Sequence, residues 1–236
     1  MFQISRWYYK GLKVFYYPNL DGGGTTLARP FVKFIKDNLS SQIKLNKIFE
    51  WCSGPSFIGF ALLAEGICKK LCLADINPFA IQCIKKTVVE NNLKDSVSYY
   101  VSDNFKSIPK MERFDMVVAN PPNYFAINSK HYLWHVFKND LRPNDSEWKI
   151  HRVFYENVSR YLNPKALLFI SEVEPFKKEV CIPTSHPIPY DIRKNIPIKD
   201  FKTMIQEGNL IYVNTKHYFT FKEDDTKMWM VMSRNK

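Results

Sequence analysis

The chain has 236 residues, of which 45% are apolar and 15% aromatic, and its 34 basic and 23 acidic side chains give a net charge of +11. This length suits one large domain, and the composition excludes a chain that is disordered throughout. The first residues lack an apolar signal region, and the longest apolar stretch, residues 57–68, is interrupted by Glu65. We therefore expect a soluble protein of the cytoplasm with no membrane-spanning segment.

The cysteines and histidines indicate neither disulfides nor a metal site. The five cysteines form no CxxC pair and mostly lie in apolar segments, which is typical of free, buried thiols in a reducing compartment. They are Cys52, Cys68, Cys72, Cys83 and Cys181. His131 and His135 have the i, i+4 spacing of two ligands on a helix, but no Glu follows His131 and no third ligand is evident.

The N-terminal part predicts a short β-hairpin. Aromatic and β-branched runs at residues 6–9 and 12–17 flank Lys10-Gly11, a pair suited to a two-residue turn. Because the pattern changes afterwards, we separate an N-terminal hairpin and glycine-rich loop, residues 1–24, from a larger unit, residues 25–236.

The glycine-rich loop leads into the first helix. Gly22-Gly23-Gly24 must bend sharply or let a ligand approach the backbone, and a plain flexible loop and a ligand-facing lid both fit this pattern. Thr25 or Thr26 is expected to cap the helix that follows. The apolar stripe of that helix consists of Phe31, Phe34, Ile35 and Leu39.

Short apolar runs then alternate with amphipathic helices. The expected strands are residues 47–51, 70–74, 97–101, 114–119 and 166–173, and the expected helices are residues 57–64, 78–91 and 146–162. Asn77 and Pro78 suit the N-cap and the first residue of the second of these helices. Near-continuous apolar strands separated by helices indicate a parallel sheet covered on both faces, and right-handed crossovers make it doubly wound.

The last part of the chain departs from this alternation. After a proline-rich segment at residues 174–199, a helix at residues 200–207 precedes two strands at residues 209–214 and 228–233. Strands so close in sequence are expected to pair antiparallel at one edge of the sheet. The predicted fold class is α/β, with a doubly wound, mostly parallel sheet, an antiparallel C-terminal strand pair and an N-terminal hairpin.

The turn after the first strand of this sheet predicts a cofactor without phosphate. A dinucleotide would require GxGxxG here, whereas the chain has Gly54 with Cys52 and Ser56 in neighbouring positions. Glu50 stands inside the same turn, where a carboxylate would repel phosphate and attract a cation. The turn therefore favours a positively charged cofactor.

Acidic residues also follow the next two strands. Asp75, followed by Ile76, lies about 20 residues after the glycine turn, the position of an acid that binds ribose hydroxyls. Asp103-Asn104 follows the third strand, where Asp103 can accept from an adenine amine while Phe105 packs on the ring. Each acid alone fits a solvated loop, but acids after three successive strands indicate one ligand site.

The fourth strand ends in Asn120-Pro121-Pro122-Asn123-Tyr124. Proline cannot donate a ladder hydrogen bond, and Pro122 drives Pro121 towards an extended backbone, so the strand must end near Asn120. Open α/β sheets bind ligands at this edge. The double proline as a mere strand terminator stands as the alternative.

Together these features resemble the class I S-adenosylmethionine-dependent methyltransferases, in the branch with (Asn/Asp)-Pro-Pro-(aromatic) after the fourth strand. That branch includes release-factor glutamine methyltransferases and rRNA or DNA amino-methyltransferases, and the resemblance covers about residues 18–234. It implies a cofactor site formed by Thr25, Thr26, Glu50, Cys52, Gly54, Ser56, Asp75, Ile76, Asp103, Asn104 and Asn120. It implies catalytic roles for Asn120, Pro121, Pro122, Asn123 and Tyr124. The chain departs from the pattern at Cys52 and Ser56, and at Asn123, which occupies the aromatic position.

The tetrapeptide suits methyl transfer to nitrogen. An amide or aryl amine is a poor nucleophile, and the Asn120 side-chain oxygen and the Pro121 carbonyl can accept its two N–H bonds. This would align the nitrogen with the methyl group. Tyr124 could replace the missing aromatic platform, or Asn123 could bind the edge of the substrate.

The acceptor is left open between a nucleobase amine, a protein glutamine and a small amine. The hairpin and residues 125–145 and 174–199 are expected to overhang the strand ends and shape this choice. Aromatic and basic residues after the tetrapeptide could stack bases and neutralise phosphate, or form a lid that packs on itself. They are Tyr124, Phe125, Lys130, Tyr132, Trp134, Lys138 and Arg142.

Two other functions remain as alternatives. The charge of +11 suits RNA, DNA or a ribosomal partner, although the basic residues are spread along a chain rich in Lys, Asn and Ile. A non-catalytic, nucleic-acid-binding relative of the methyltransferases is therefore one alternative. A Rossmann oxidoreductase is the other, disfavoured by the absence of GxGxxG.

Overall fold

The computed structural model describes residues 3–39, 45–122, 145, 148–173, 198–222 and 225–236. In chain order the strands are β1 (Ser5–Tyr9), β2 (Leu12–Tyr16), β3 (Leu45–Trp51), β4 (Cys68–Asp75), β5 (Val97–Val101), β6 (Phe114–Ala119), β7 (Leu162–Val173), β8 (Leu210–Thr220) and β9 (Lys227–Asn235). The helices are α1 (Gly24–Asn38), α2 (Phe57–Ala64), α3 (Pro78–Glu90), α4 (Lys149–Val158) and α5 (Ile198–Glu207). Short 3-10 helices span Pro18–Leu20 and Ser159–Tyr161.

Seven strands form one sheet in the order β5-β4-β3-β6-β7-β9-β8. The first five strands in this order are parallel, while β9 pairs antiparallel with both β7 and β8. The order reverses between β3 and β6, so the carboxyl ends of these two strands flank the crevice of a doubly wound sheet. The predicted fold class, including the antiparallel pair at one edge, is confirmed.

The sheet is buried on both faces. On one face α1, α2, α3 and the hairpin form an apolar cluster, and on the other α4 and α5 form a second one. Side chains of consecutive strand residues point to opposite faces, so each central strand contributes to both clusters. Ile48 and Phe49 of β3, both fully buried, show this division.

The N-terminal hairpin is confirmed, but most of it does not overhang the strand ends. Lys10 and Gly11 form its turn with φ values of 44° and 85°, the left-handed pair that a tight two-residue turn requires. The Tyr9 hydroxyl donates to Glu65, just after α2, at 2.7 Å. Because α2 runs back from the carboxyl edge of the sheet, this places the hairpin turn near the amino edge. The part of the hairpin away from its turn reaches Phe57, at the start of α2, through Trp7 and Tyr16.

The predicted threonine cap of α1 is wrong. The helix begins at Gly24, its N-cap is Gly23 with a φ of 82°, and no cap side chain accepts a hydrogen bond there. Instead Asp21 accepts from the Thr25 N–H at 2.8 Å and from the Thr25 hydroxyl at 2.6 Å. A carboxylate that reaches the free N–H groups from the preceding turn makes a threonine cap unnecessary. By contrast, the predicted Asn77 cap is confirmed, since its side chain accepts from the Phe79 N–H.

Several other boundaries differ from the predictions. The helix expected at residues 146–162 starts at Lys149, after Trp148 in a left-handed conformation with φ of 58°, and ends at Val158, where a 3-10 helix follows. The following strand starts at Leu162, which pairs with Phe114. β8 and β9 are longer than predicted because they pair along almost their whole lengths. The division of the chain after residue 24 stays a prediction.

The thiols in the described residues are free, as predicted. Cys68, Cys72 and Cys83 are buried, while Cys52 is half-buried. Burial raises the pKa of Cys68 and of Cys72 to about 12, which leaves both thiols unreactive. Cys181 lies outside the described residues.

In the part of the chain that the structure describes, no helix has the length and apolar character needed to cross a bilayer. The cytoplasmic location stays a prediction. So does the reducing compartment that the cysteine pattern suggests.

Candidate active site at the carboxyl edge of the sheet

The turn after β3 is built on left-handed backbone. Cys52, Gly54 and Ser56 have φ values of 51°, 51° and 67°. Glycine adopts this conformation freely, whereas other residues are strained in it. Cys52 and Ser56 therefore adopt a conformation in which glycine would be less strained.

The buried side chain of Glu50 supports this turn through hydrogen bonds. It is 2% exposed and accepts hydrogen bonds from the Ser56 hydroxyl and, at 3.0 Å, from the Gly59 N–H. A Cβ atom at position 59 would collide with the Glu50 carboxylate, so the close approach requires glycine. Burial raises the pKa of Glu50 to about 8, against the lowering effect of the Ser56 and Gly59 hydrogen bonds. Its predicted contact with a cofactor stays a prediction.

Asp75 connects the ends of β3 and β4. One carboxylate oxygen accepts from the Gly54 N–H at 2.7 Å and the other from the Asn77 N–H at 2.8 Å. Burial raises the pKa of Asp75, although these two bonds counteract it. The side chain stays half-buried, so each oxygen keeps a lone pair that hydroxyl groups can use. Next to it, the Ile76 side chain is 49% exposed and offers an apolar surface.

The end of β5 lies beside Asp75, because the Ser102 N–H donates to the Asp75 carbonyl at 2.9 Å. Asp103 is exposed and forms an ion pair with Lys106 at 2.6 Å. Asn104 is 8% exposed, has a φ of 50°, and its Oδ1 has no hydrogen-bond partner among the described residues. The turn after β5 thus places the Asp103 carboxylate and the unsatisfied Asn104 amide oxygen beside the end of β4.

The expectation that Phe105 packs on an adenine ring is wrong. Its side chain is buried in the core, where its ring stacks on Tyr161 with centroids 4.6 Å apart and on Phe154 at 5.8 Å. A side chain in a solvated loop would have been available to a ligand. The Phe105 ring packs instead against aromatic rings of the core.

The fourth strand brings Asn120 to the same edge. Trp51, the last residue of β3, pairs with Ala119, the last residue of β6, so Asn120 lies beside the turn that begins at Cys52. Asn120 is half-buried, and Pro121 and Pro122 are buried. The remaining predicted catalytic residues, Asn123 and Tyr124, lie outside the described residues.

The aromatic and basic residues expected after the tetrapeptide also lie outside the described residues, as do His131 and His135. Within the described ranges, no group of His, Cys, Asp and Glu side chains could hold a metal ion. The expectation of a metal-free site stays a prediction for the whole chain.

The glycine-rich loop closes the other side of the turn. Gly24 packs so closely on the Phe57 ring that a Cβ atom would collide with it, and the Leu20 carbonyl lies within 3.8 Å of a Cβ built on Gly54. The loop therefore brings Thr25 and Thr26, on the first turn of α1, towards the start of α2. Their contact with a ligand stays a prediction.

The structure also reveals a buried ionic cluster that the sequence did not predict. His151 of α4 lies between Asp145 and Glu172, with Nδ1 2.5 Å from Asp145 Oδ2 and Nε2 2.8 Å from Glu172 Oε1. His151 and Glu172 are 0% exposed and Asp145 is 1% exposed. Burial lowers the pKa of His151, but the two carboxylates outweigh this effect and raise it to about 9. The imidazole is therefore protonated at neutral pH and donates from both nitrogens.

Two signals in the sequence could have revealed this cluster. His151 falls on the apolar stripe of α4, three residues before Phe154, and Glu172 falls inside an apolar strand. Histidine and glutamate on predicted core faces require partners, because an unpaired buried charge is costly. Pairing them required the tertiary structure, since they are 21 residues apart.

The sheet order, with one reversed strand next to the edge and polar groups at the carboxyl ends, is that of a class I methyltransferase fold. A family model for the methyltransferase small domain matches residues 11–142, more than half of the chain. The chain therefore belongs to the methyltransferase small domain family.

Curated relatives match a little less than half of the chain. Ribosomal RNA small subunit methyltransferase C of Buchnera aphidicola subsp. Cinara cedri is 32% identical over 114 residues, which cover 48% of this chain and 29% of the relative. Release factor glutamine methyltransferase of Clostridium acetobutylicum is 31% identical over 103 residues, which cover 42% of this chain and 36% of the relative. The chain thus spans about a third of the length of these relatives.

Solved structures match almost the whole chain. A 16S rRNA methyltransferase of T. thermophilus, in complex with AdoMet and guanosine, has a TM-score of 0.59 at 11% identity and covers 100% of this chain and 51% of that one. The N-methyltransferase NodS of Bradyrhizobium japonicum has a TM-score of 0.51 at 16% identity and covers 92% of this chain and 97% of that one. At these identities the similarity establishes the fold.

Proposed function

We propose that this chain transfers a methyl group from S-adenosylmethionine to a nitrogen atom of its acceptor. The observation that carries the proposal is the pairing of Trp51 with Ala119, which places Asn120 beside the turn after β3. One side chain with both donor and acceptor groups thus adjoins a turn whose other polar groups suit a cofactor. Membership of the methyltransferase small domain family supports the same reaction.

The residues at the ends of β4 and β5 fit the nucleoside part of this cofactor. Asp75 would accept from the two ribose hydroxyls with the lone pairs that Gly54 and Asn77 leave free. Ile76 would pack on the adenine face, and Asp103 would accept from the adenine amine. The Asn104 Oδ1, which has no partner among the described residues, would accept a hydrogen bond from a donor on the cofactor.

The turn after β3 and the loop before α1 fit the amino-acid part. The buried Glu50 accepts from the Ser56 hydroxyl and the Gly59 N–H and so supports the Cys52–Ser56 turn in its left-handed form. Thr25 and Thr26 would approach from the other side. When bound, the cofactor would supply a methyl group on a positively charged sulfur, whose bond to the methyl carbon breaks as the acceptor nitrogen bonds to that carbon, leaving a neutral thioether.

Asn120 and Pro121 would orient the acceptor. The amide oxygen of Asn120 and the carbonyl of Pro121 accept the two N–H bonds of the acceptor nitrogen, which directs its lone pair along the line of transfer. The nitrogen gains a bond to carbon and later releases a proton to solvent. This requires alignment more than a strong base, so a neutral asparagine suffices.

We propose an amino group of an RNA base as the acceptor. Relatives include an rRNA methyltransferase, and a solved structure with the same fold holds guanosine. The net charge of +11 suits a polyanion. A protein glutamine is the second candidate, because the release factor glutamine methyltransferase of C. acetobutylicum matches at nearly the same identity.

The test is to incubate the purified chain with methyl-labelled S-adenosylmethionine and the RNA, DNA, protein and small-molecule fractions of a cell extract. We expect label in RNA, and digestion to nucleosides followed by mass spectrometry would locate it on a base amino group. Label confined to protein would favour glutamine. Cofactor binding without transfer to any fraction would support a non-catalytic relative, and binding of nicotinamide dinucleotide instead would support an oxidoreductase.

A further inference from the structure

The buried cluster of Asp145, His151 and Glu172 is a costly feature for a protein core. Aspartate and glutamate are almost never fully buried unless paired, and apolar residues of similar volume often stabilise a core as well as a buried ion pair or better. The cluster is also incompletely satisfied, since Glu172 Oε2 and the nearby Tyr155 hydroxyl are buried without a hydrogen-bond partner among the described residues. A costly polar group that persists in a core calls for a functional explanation.

The cluster joins three parts of the chain. Asp145 accepts from the backbone N–H groups of Ile150 at 2.7 Å and His151 at 3.0 Å, which satisfies donors at the start of α4. The His151 ring then bonds Glu172 on β7. The position of Asp145 and the start of α4 are thereby tied to the carboxyl end of β7.

That end of β7 adjoins the tetrapeptide. Ile170 pairs with Ala119 of β6, and Glu172 lies two residues beyond Ile170 as Pro121 lies two residues beyond Ala119. Any displacement of the β7 end therefore reaches the neighbouring strand where Asn120 and Pro121 begin.

The cluster also touches the cofactor side. The His151 ring meets the Trp51 ring edge-on, with centroids 5.2 Å apart and an interplanar angle of 87°. Trp51 is the last residue before Cys52, and it stacks on Phe154 of the same helix as His151 at 4.0 Å. Trp148 and Phe201 enclose the remaining ring edges at 5.0 and 5.8 Å. The imidazole is thus held in one orientation between the ends of β3 and β7.

We infer that His151 is a positioning residue for methyl transfer. Through Glu172 it holds the end of β7, which pairs with β6, and through Trp51 it holds the turn after β3. It thereby sets the distance between that turn and the end of β6, and so aligns Asn120 and Pro121 with the methyl group. The assignment rests on the proposed function. Because a displacement of about 1 Å in a reacting pair costs about 100-fold in rate, a group that only sets this alignment has a large kinetic effect.

The main test replaces the ionic contact with apolar groups in the double variant His151→Phe/Glu172→Leu. Asp145 is kept, since it also satisfies backbone N–H groups of α4. Thermal unfolding would show a folded protein, and calorimetry a dissociation constant for S-adenosylmethionine within about twofold of wild type. Single-turnover transfer to the acceptor is expected to be about 10- to 100-fold slower.

A conservative variant and a matched control separate alignment from general destabilisation. Glu172→Gln removes the charge but keeps an oxygen that accepts from His151 Nε2, so we expect a rate within about threefold of wild type. Tyr218→Phe deletes the 2.7 Å hydrogen bond to Ser171, which lies on the opposite face of β7. It removes a neutral hydrogen bond from the same strand without touching the ionic cluster, and should leave the transfer rate within about twofold.

A folded double variant that transfers at the wild-type rate would overturn the assignment, as would an equal loss in Tyr218→Phe. If the double variant does not fold, His151→Gln provides the test, since it keeps one of the two side-chain hydrogen bonds. Wild-type speed in that variant would also overturn the assignment. Failure of the proposed function would be visible earlier, as the absence of transfer by the wild-type chain.

Discussion

At the ends of β3 and β4 the candidate site is a backbone turn held by two carboxyl side chains, whereas beside the end of β7 a histidine is buried between two carboxylates. On the first, or cofactor, side, Asp75 accepts from the Gly54 N–H and Glu50 from the Gly59 N–H in the first turn of α2, around a turn with a strained, left-handed backbone. On the second, or acceptor, side, His151 of α4 holds Asp145, six residues before it, and Glu172 of β7, 21 residues after it.

The difference separates two ways of fixing a site. The cofactor side uses carboxyl groups that accept from backbone N–H groups, so it depends on the left-handed conformation of one turn and on glycine where groups approach closely. The acceptor side depends on charge and on tertiary contacts. The two sides should therefore respond differently to pH and to substitution.

The largest expected difference is in how stability depends on pH. His151 has a pKa of about 9 in the folded protein against an ordinary value of 6.5, so the folded state binds its proton more tightly. Its stabilising contribution is complete below pH 6.5 and is lost as the pH rises through 9, by roughly 3 kcal/mol. Glu50, with a pKa of about 8 against 4.5, has the same sign but loses stability from pH 4.5 to 8.

Urea unfolding across these ranges would separate the two groups. Glu50→Gln should flatten the lower part of the profile, between pH 4.5 and 8. His151→Phe/Glu172→Leu should flatten the upper part, between pH 6.5 and 9. If the free energy of unfolding depended on pH in the same way in wild type and both variants, neither Glu50 nor the His151 cluster would contribute to that dependence as expected.

The next effect concerns catalysis. Asn120→Ala removes the proposed acceptor of an N–H bond in the reacting pair, and we expect a loss of about 100- to 1,000-fold in the transfer rate. The dissociation constant for S-adenosylmethionine should stay within about twofold, since the cofactor side is intact. Single-turnover rates and calorimetry would measure both quantities.

Asn163→Ala is the matched control for that variant. Asn163 donates to Asp115 at 2.7 Å near the opposite end of β6, so its loss perturbs the same strand far from the site. We expect an unchanged transfer rate. Full activity in Asn120→Ala would instead remove the tetrapeptide from the mechanism.

The smallest effect compares two acids on the cofactor side. Asp75→Ala should weaken cofactor binding by roughly 1.5–3 kcal/mol, because it removes ribose contacts and frees the N–H of Gly54. Asp103→Ala should cost less than about 1 kcal/mol, because Asp103 is exposed and already paired with Lys106. Calorimetry would rank them, and an unchanged dissociation constant in Asp75→Ala would refute its ribose role.

The sequence predicted most of the fold because local patterns determine it. Apolar strands, the Asn77 cap and the Lys10-Gly11 turn each depend on a few neighbouring residues. The helix start at Gly24 was missed because Asp21 satisfies the helix from outside the expected cap position. The length of β8 was missed because its half-exposed residues pair with β9 rather than follow an alternating apolar pattern.

The candidate site could be predicted only in part. Strand ends located Asp75, Asp103 and Asn120 at one edge, since parallel topology brings carboxyl ends together. The core position of Phe105 was missed because it depends on aromatic partners such as Tyr161, far along the chain. His151 and Glu172 were missed for a similar reason, because each is interpretable only beside the other.

The place of β9 in the sheet has a consequence for biosynthesis. β3, β4, β5 and β6 are made consecutively and pair with one another, so the cofactor side can assemble while the ribosome is still translating. β7 acquires its second neighbour only after β9 emerges, more than 50 residues later. Until then β7 presents an unpaired edge next to the acceptor side, and chaperones that shield such edges would find their substrate in this interval.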